Sequence, residues 1–322
     1  MAKYFLGIDI GGTKIASGLV SAEGKLKKSI ILPTLAERGK NVSLNQLFIS
    51  IDMLLKTGGV SKKDIKGIGV CAPGPLNPQK RIIYNPPNLQ GWVKVPLGDL
   101  VEERLKIKTK VENDANAAGV AEMLWGSAKG YKNIFYVTVS TGIGTGIIID
   151  GKLYHGKNGM AGEGGHVTIS YNDETVLCAC GSKGCIEALA SGPNTVKRFL
   201  KNISRGPEGE SLTVNMTKNG AADITMKTIA DAAKRGDSLA IKTIQEEGRF
   251  LGIWLGNMIN ILDPEIIVIG GGVSLIGNLL FKEIKDTVKK HTINIFASKT
   301  PIVAAKLKKN VGVFGAAAIA MI

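Results

Sequence analysis

The sequence predicts an α/β protein of two domains with a ligand cleft between them. Three observations lead there. The 322 residues exceed what one core of ordinary size organises. Short apolar runs of strand length alternate with longer segments of helical spacing. A strand, a turn rich in glycine and hydroxyl residues, and a return strand occur at 4–20 and again at 134–150, which suggests two related halves.

Taken in order, residues 4–10 read as a buried strand and 15–20 as its return, joined by Gly11-Gly12-Thr13-Lys14. Glycines admit close backbone approach, their amides can face an anion, and a hydroxyl and an ammonium follow. Asp9 to Lys14 can therefore be a phosphate loop or an ordinary Gly-Gly hairpin. It is not a Walker loop, because Thr13-Lys14 reverses the required order and a strand follows instead of a helix. Residues 42–56 have helical spacing, ended by Gly58-Gly59. Residues 65–71 form a strand, and Ala72-Pro73-Gly74-Pro75 a rigid turn. Cys71 reads as a small buried hydrophobe, and 85–92, with two prolines, as a surface loop.

A short strand at 108–112 gives way to Asn113-Asp114-Ala115-Asn116 and a helix through about 124. Asp114 stands where a strand yields to a helix, so it can be an N-cap or a general base at the carboxyl end of a strand. The strand at 134–140 leads into a second glycine turn, Thr141-Gly142-Ile143-Gly144-Thr145-Gly146. Beyond it, Gly192-Pro193 opens a helix, 204–223 is a polar excursion, and 242–262 is a long, largely buried helix. A strand at 265–269 feeds a third glycine turn, Gly270-Gly271-Gly272, suited to the adenosine end of a nucleotide or to a tight strand–helix joint. The spacing of these glycines misses the dinucleotide fingerprint. The chain closes with a helix of small residues at 311–322.

The most specific stretch lies between these elements. Gly162-Glu163-Gly164-Gly165-His166 precedes Cys178-Ala179-Cys180-Gly181-Ser182-Lys183-Gly184-Cys185-Ile186-Glu187. His166, Cys178, Cys180 and Cys185 are a complete tetrahedral ligand set for Zn²⁺, with no position left for a reactive water, so the ion is expected to be structural. A disulfide between Cys178 and Cys180 would be strained. The ion would clamp Glu163 and Glu187 onto one rigid loop, where carboxylates accept hydroxyl groups. That points to a polyhydroxylated ligand.

Composition excludes several classes. Hydrophobic content of 44% and charged content of 21% fit a soluble globular protein. No apolar run approaches the ~20 residues of a bilayer span, and Asp9 interrupts the first apolar stretch too early for a signal peptide. Clustered thiols suited to a metal fit a reducing cytoplasm. The net charge of +14 is spread over pairs such as Lys62-Lys63, Lys289-Lys290 and Lys308-Lys309. No basic arm forms, so the charge reads as solvated faces that mildly attract anionic substrates, not as a nucleic-acid surface.

These motifs together resemble the ROK family of repressors, open reading frames and kinases, and within it the bacterial glucokinases. The resemblance runs from Leu6 to about Ala318. It implies an actin-like ATPase (ribonuclease H-like) fold, with a small domain at 1–116 completed by 308–322 and a large domain at 117–307 carrying the zinc. It implies ATP-dependent phosphorylation of a hexose 6-hydroxyl, with ATP and Mg²⁺. Asp114 would be the base. Gly74, Asn113, Glu163, His166 and Glu187 would hold the sugar. Asp9, Gly11, Gly12, Thr13 and Lys14, with Thr141, Gly142 and Gly144, would surround phosphates and Mg²⁺, and Gly271 and Gly272 would lie near adenosine. A homodimer or higher homo-oligomer is expected from the family alone. Gly164 departs from the family's bulky apolar residue, which would loosen the loop of Glu163 and His166, and Asn77 replaces a common Asp. Fructose, mannose, allose or an N-acetylhexosamine would use the same motifs, and polyphosphate is not excluded as donor. A sugar-sensing regulator would need a helix-turn-helix ahead of Asp9, for which there is no room. An actin- or chaperone-like ATPase would lack sugar-facing carboxylates.

Overall fold

A period of two in the first strands sets the inner architecture. In the computed structural model, which describes residues 3–203, 211–217, 220–308 and 310–322, β1 (Tyr4–Ile10) sends Leu6, Ile8 and Ile10 to one buried face and Phe5 to the other. β2 (Lys14–Ser21) and β3 (Leu26–Pro33) follow as an antiparallel meander. Next come α1 (Lys40–Gly58), β4 (Ile65–Ala72), the short pair β5 (Leu76–Asn77) and β6 (Ile82–Ile83), α2 (Leu97–Leu105), β7 (Thr109–Asn113) and α3 (Asp114–Trp125). β4 lies parallel to β1, and β7 parallel to β4, giving a sheet of order β3-β2-β1-β4-β7.

The pattern then repeats. β8 (Ile134–Val139), β9 (Ile143–Ile149) and β10 (Lys152–Leu153) are followed by α4 (Ile186–Ala190), α5 (Gly192–Ile203), α6 (Leu212–Asn215), α7 (Met226–Lys234) and α8 (Ser238–Leu262). β11 (Ile266–Gly270), α9 (Asn278–Val288), β12 (Ile302–Ala304) and α10 (Val311–Met321) complete the chain. The second sheet has order β10-β9-β8-β11-β12, the same arrangement of a meander beside two crossover strands. The echo between 4–20 and 134–150 is therefore an echo of whole sheets.

By packing, the chain divides into two units. One comprises Met1–Tyr136, Gly146–Gly162 and Lys306–Ile322, the other Val137–Thr145 and Glu163–Ala305. The sequence expectation changed domain at 116/117, whereas packing groups α3 with the first unit. In that unit α1 and α2 cover one sheet face through Leu47, Ile51, Leu54, Leu97 and Val101. The opposite face receives α10. Its backbone comes so close that a Cβ at Gly7 would lie 2.2 Å from the Val313 carbonyl, and one at Gly69 would lie 1.8 Å from that of Ala316. In the second unit α8 forms the spine, with Trp254, Leu251, Leu255 and Ile259 buried.

Three local expectations change. The loop 85–92 is not a plain surface loop, because Leu89 and Trp92 are fully buried and anchor it. The second glycine turn is short, since β9 begins at Ile143 and takes Gly144 and Gly146 into the strand. Of the polar excursion, 204–210 and 218–219 lie outside the described residues. Its described part includes α6, where Ser211 and Thr213 bond Asp237. Among the described residues, no helix is long and apolar enough to cross a membrane.

Candidate active site

In the first unit, the ends of β1, β4 and β7 carry the candidate groups. Asp9 pairs in register with Cys71 of β4, and Ala72 pairs with Asn113 of β7. The turn after Asp9 is closed by the Gly11 amide donating to the Lys14 carbonyl at 2.9 Å, and the Thr34 hydroxyl donates to the Gly11 carbonyl at 2.6 Å. Gly12 abuts the backbone of Asn88, while Thr13 and Lys14 remain exposed. Burial raises the Asp9 carboxyl to about 6. The nearby Asp114 charge adds to the rise and Lys14 opposes it. Gly74 sits in the turn after β4, where the Tyr84 amide donates to the Pro75 carbonyl.

The start of α3 separates the two roles that the sequence left open for Asp114. Asn113 is the N-cap: its Oδ1 accepts the amides of Ala115 at 2.9 Å and Asn116 at 3.2 Å. Asp114 is the first helical residue and is exposed, with Oδ1 accepting the Ala115 amide at 2.8 Å. The capping task falls to Asn113, whose amide N–H groups remain the part able to donate to a ligand.

Behind this segment stands a pair that sequence reasoning missed. Buried Glu112 accepts the Asn113 amide and Asn116 Nδ2, each at 2.9 Å, through one oxygen. The other oxygen meets His155 Nε2 at 2.7 Å, and this bond holds the imidazole pKa above its ordinary value against the opposing effect of burial. Glu112 adjoins the Asn-Asp motif in sequence, which was the one signal available for it.

In the second unit, His166 and the three cysteines converge. Their ligand atoms all lie within 4.8 Å of one another. Cys178 Sγ is 3.6 Å from His166 Nδ1, and the sulfurs of Cys180 and Cys185 are 3.8 Å apart. A tetrahedral Zn²⁺ with ordinary bond lengths requires N···S and S···S edges of about 3.6 and 3.8 Å, so the residues fit such an ion. The fit selects Nδ1 as the metal-side nitrogen and leaves Nε2 for another partner.

The two carboxylates of this loop are held differently. Glu187, in the first turn of α4, accepts the Ile143 amide at 2.9 Å through Oε2, while Oε1 lies 3.9 Å from Cys178 Sγ. Gly142 makes room for it: a Cβ there would lie 2.6 Å from Oε2. Glu163 is exposed and its carbonyl accepts the His166 amide. The loop is not loosened at Gly164. Its amide donates to Thr145 Oγ1 at 3.2 Å, and a Cβ would meet Thr145 at 2.9 Å and Trp254 at 3.3 Å. Thr141 is exposed in the turn after β8. Gly271, with φ 81°, packs on the backbone of Val139, so the second and third glycine turns are neighbours, and Gly272 has open space beside it. Gly144 belongs to β9 instead of the turn.

The chain is similar to known proteins over nearly its whole length. A family model described as the ROK family matches residues 5–321. A glucokinase of Halalkalibacterium halodurans is 34% identical over 97% of this chain and 93% of its own. A ROK family glucokinase from Streptomyces griseus, solved in complex with glucose and AMPPNP, superposes with a TM-score of 0.84 at 31% identity, covering 99% of both chains. A xylose repressor of Caldicellulosiruptor bescii is 30% identical over 98% of this chain and 77% of its own.

Proposed function

This chain belongs to the ROK family, with its actin-like two-domain fold, and from that premise we propose that it transfers the γ-phosphoryl group of ATP to the 6-hydroxyl of a hexose, glucose first. The carrying observation is Asp114, an exposed carboxylate at the end of a parallel strand whose capping duty is met by Asn113. The similarity to glucokinases over nearly the whole chain supports the same reading.

Asp114 accepts the proton of the 6-hydroxyl as its oxygen bonds to the γ-phosphorus and the bond to the bridging oxygen of ADP breaks. The proton leaves Asp114 to solvent after the sugar phosphate departs. The remaining hydroxyls are held by Asn113, Glu163, Glu187 Oε1 and His166 Nε2, with backbone from Gly74. Asp9, Gly11, Gly12, Thr13 and Lys14, with Thr141, Gly142 and Gly144, cradle the phosphates, and Gly271 and Gly272 flank adenosine. Mg²⁺, when bound, neutralises phosphate charge near Asp9. His166, Cys178, Cys180 and Cys185 would hold a structural Zn²⁺, which would brace the loop of Glu163 and Glu187. The enzyme works in the cytoplasm as a homo-oligomer.

The test is ATP consumption with Mg²⁺ against a panel of hexoses, with Asp114→Ala beside the wild type. Turnover that depends on sugar, is led by glucose and falls about 10²–10⁴-fold in the variant is expected. Sugar binding without turnover would replace the kinase reading by that of a sensor, which the likeness to a xylose repressor favours. Leadership by another hexose would correct the substrate alone.

A further inference from the structure

Gly312 is the second residue of α10, a helix of 11 residues. Its φ is not in the left-handed region, so its backbone does not require glycine. Glycine is a poorer helix former than alanine, and α10 is otherwise built of small and apolar residues. What demands glycine is space. A Cβ at 312 would lie 2.0 Å from Asp9 Oδ2, 2.3 Å from its Cγ and 2.8 Å from its Cβ. Turning the carboxylate about its own axis does not relieve the contact, because the Asp9 Cβ is also in the way. Retreat of the helix would give up the close packing of Val313 and Ala316 on Gly7 and Gly69 of the sheet. On the other side the Cys71 thiol donates to the Gly312 carbonyl at 3.2 Å, and Cys71 is the strand partner of Asp9.

We propose that Gly312 is a positioning residue: it seats the Asp9 carboxylate on the first turn of α10, so that the C-terminal helix sets the geometry of the phosphate-binding hairpin. The positive end of the helix dipole faces a negative charge there. The inference rests on the kinase reading for its catalytic consequence, but its geometric content does not.

The test compares four full-length proteins: wild type, Gly312→Ala, Asp9→Gly and the double variant. Thermal midpoint and MgATP-dependent turnover are measured on each, and glucose binding by calorimetry. Gly312→Ala is expected to lower the midpoint by several degrees and turnover about 10²-fold, with glucose affinity kept. With Asp9 shortened to glycine, which removes the Cβ as well as the carboxylate, the same substitution becomes neutral or raises the midpoint, because the methyl has room and alanine favours the helix. If Gly312→Ala alone fails to fold, a folded double variant supports the proposal. An equal loss of midpoint in both backgrounds overturns it, as does a Gly312→Ala protein with wild-type midpoint and turnover. A wild type inactive on every sugar would sink the kinase reading and leave the midpoints to decide the contact.

Discussion

The two glycine hairpins occupy the same place in sheets of the same order, yet they are built in opposite senses. In the first, the carboxylate belongs to the hairpin strand and the glycine that admits it comes from far away: Asp9 lies against Gly312. In the second, the glycine belongs to the hairpin and the carboxylate comes from elsewhere: Gly142 admits Glu187. Their supports differ as well. The first rests on a helix of small residues packed on the sheet. The second is tied to the loop of His166 and the three cysteines, which a metal would brace. A repeated sheet thus supplies two platforms, and long-range partners decide what chemistry each presents.

The comparison can be broken most severely at the metal loop. Cys178→Ser, or removal of the ion by a chelator, should abolish zinc content by atomic emission and cut sugar-dependent turnover ~100-fold or more, since Glu163 and Glu187, the carboxylates proposed to hold the sugar, would lose their brace. Normal turnover in a zinc-free sample would contradict the assigned role. Gly142→Ala probes the second hairpin on its own. The new methyl collides with Glu187 Oε2, and the hexose KM should rise about 10-fold. An unchanged hexose KM beside a raised MgATP KM would leave Gly142 its place at the phosphates and contradict a sugar-binding role for Glu187.

How much of this was legible in the sequence follows from distance along the chain. The His166 and cysteine cluster, the Asn113-Asp114 segment and the first hairpin are local patterns and lie where their spacing places them, whereas the second turn is shorter because β9 begins at Ile143. The contacts that explain particular residues are not local. Glu187 meets Ile143 across 44 positions, His155 meets Glu112 across 43, and Cys71 meets Gly312 across 241. No periodicity encodes such pairs. For the same reason Gly164 reads as a weakness in sequence, although Thr145 and Trp254 fill the space beside it. Trp92 and Leu89 likewise turn a proline-rich loop into an anchored one, which its composition hides.

The smallest expected effect concerns the spine of the second unit. Glu247 is fully buried on α8, and burial pushes its carboxyl up to about 8 against the pull of Thr195 and Arg198. Its Oε2 takes the Thr195 hydroxyl and Arg198, while Oε1 has no hydrogen-bond partner among the described residues. Arg198 also donates to the Leu189 carbonyl at 2.5 Å, within the helix that carries Glu187. The folded-state pKa is raised above the ordinary 4.5. The protonated acid therefore contributes stability that is complete below 4.5 and is lost as pH rises through about 8. Glu247→Gln should remove this dependence, so that midpoints of variant and wild type, compared from pH 5 to pH 9, diverge on the alkaline side with the variant ahead by a few degrees. Parallel midpoints would show that Glu247 is ionised throughout.

The central claim is that Asp114 directs phosphoryl transfer to one hydroxyl. Phosphorus NMR of a mixture of the protein, MgATP and glucose tests it most directly. ADP and glucose 6-phosphate are expected in equal amounts, with no sugar phosphate when 6-deoxyglucose replaces glucose. Release of inorganic phosphate without a sugar ester, or an ester at another hydroxyl, would contradict it.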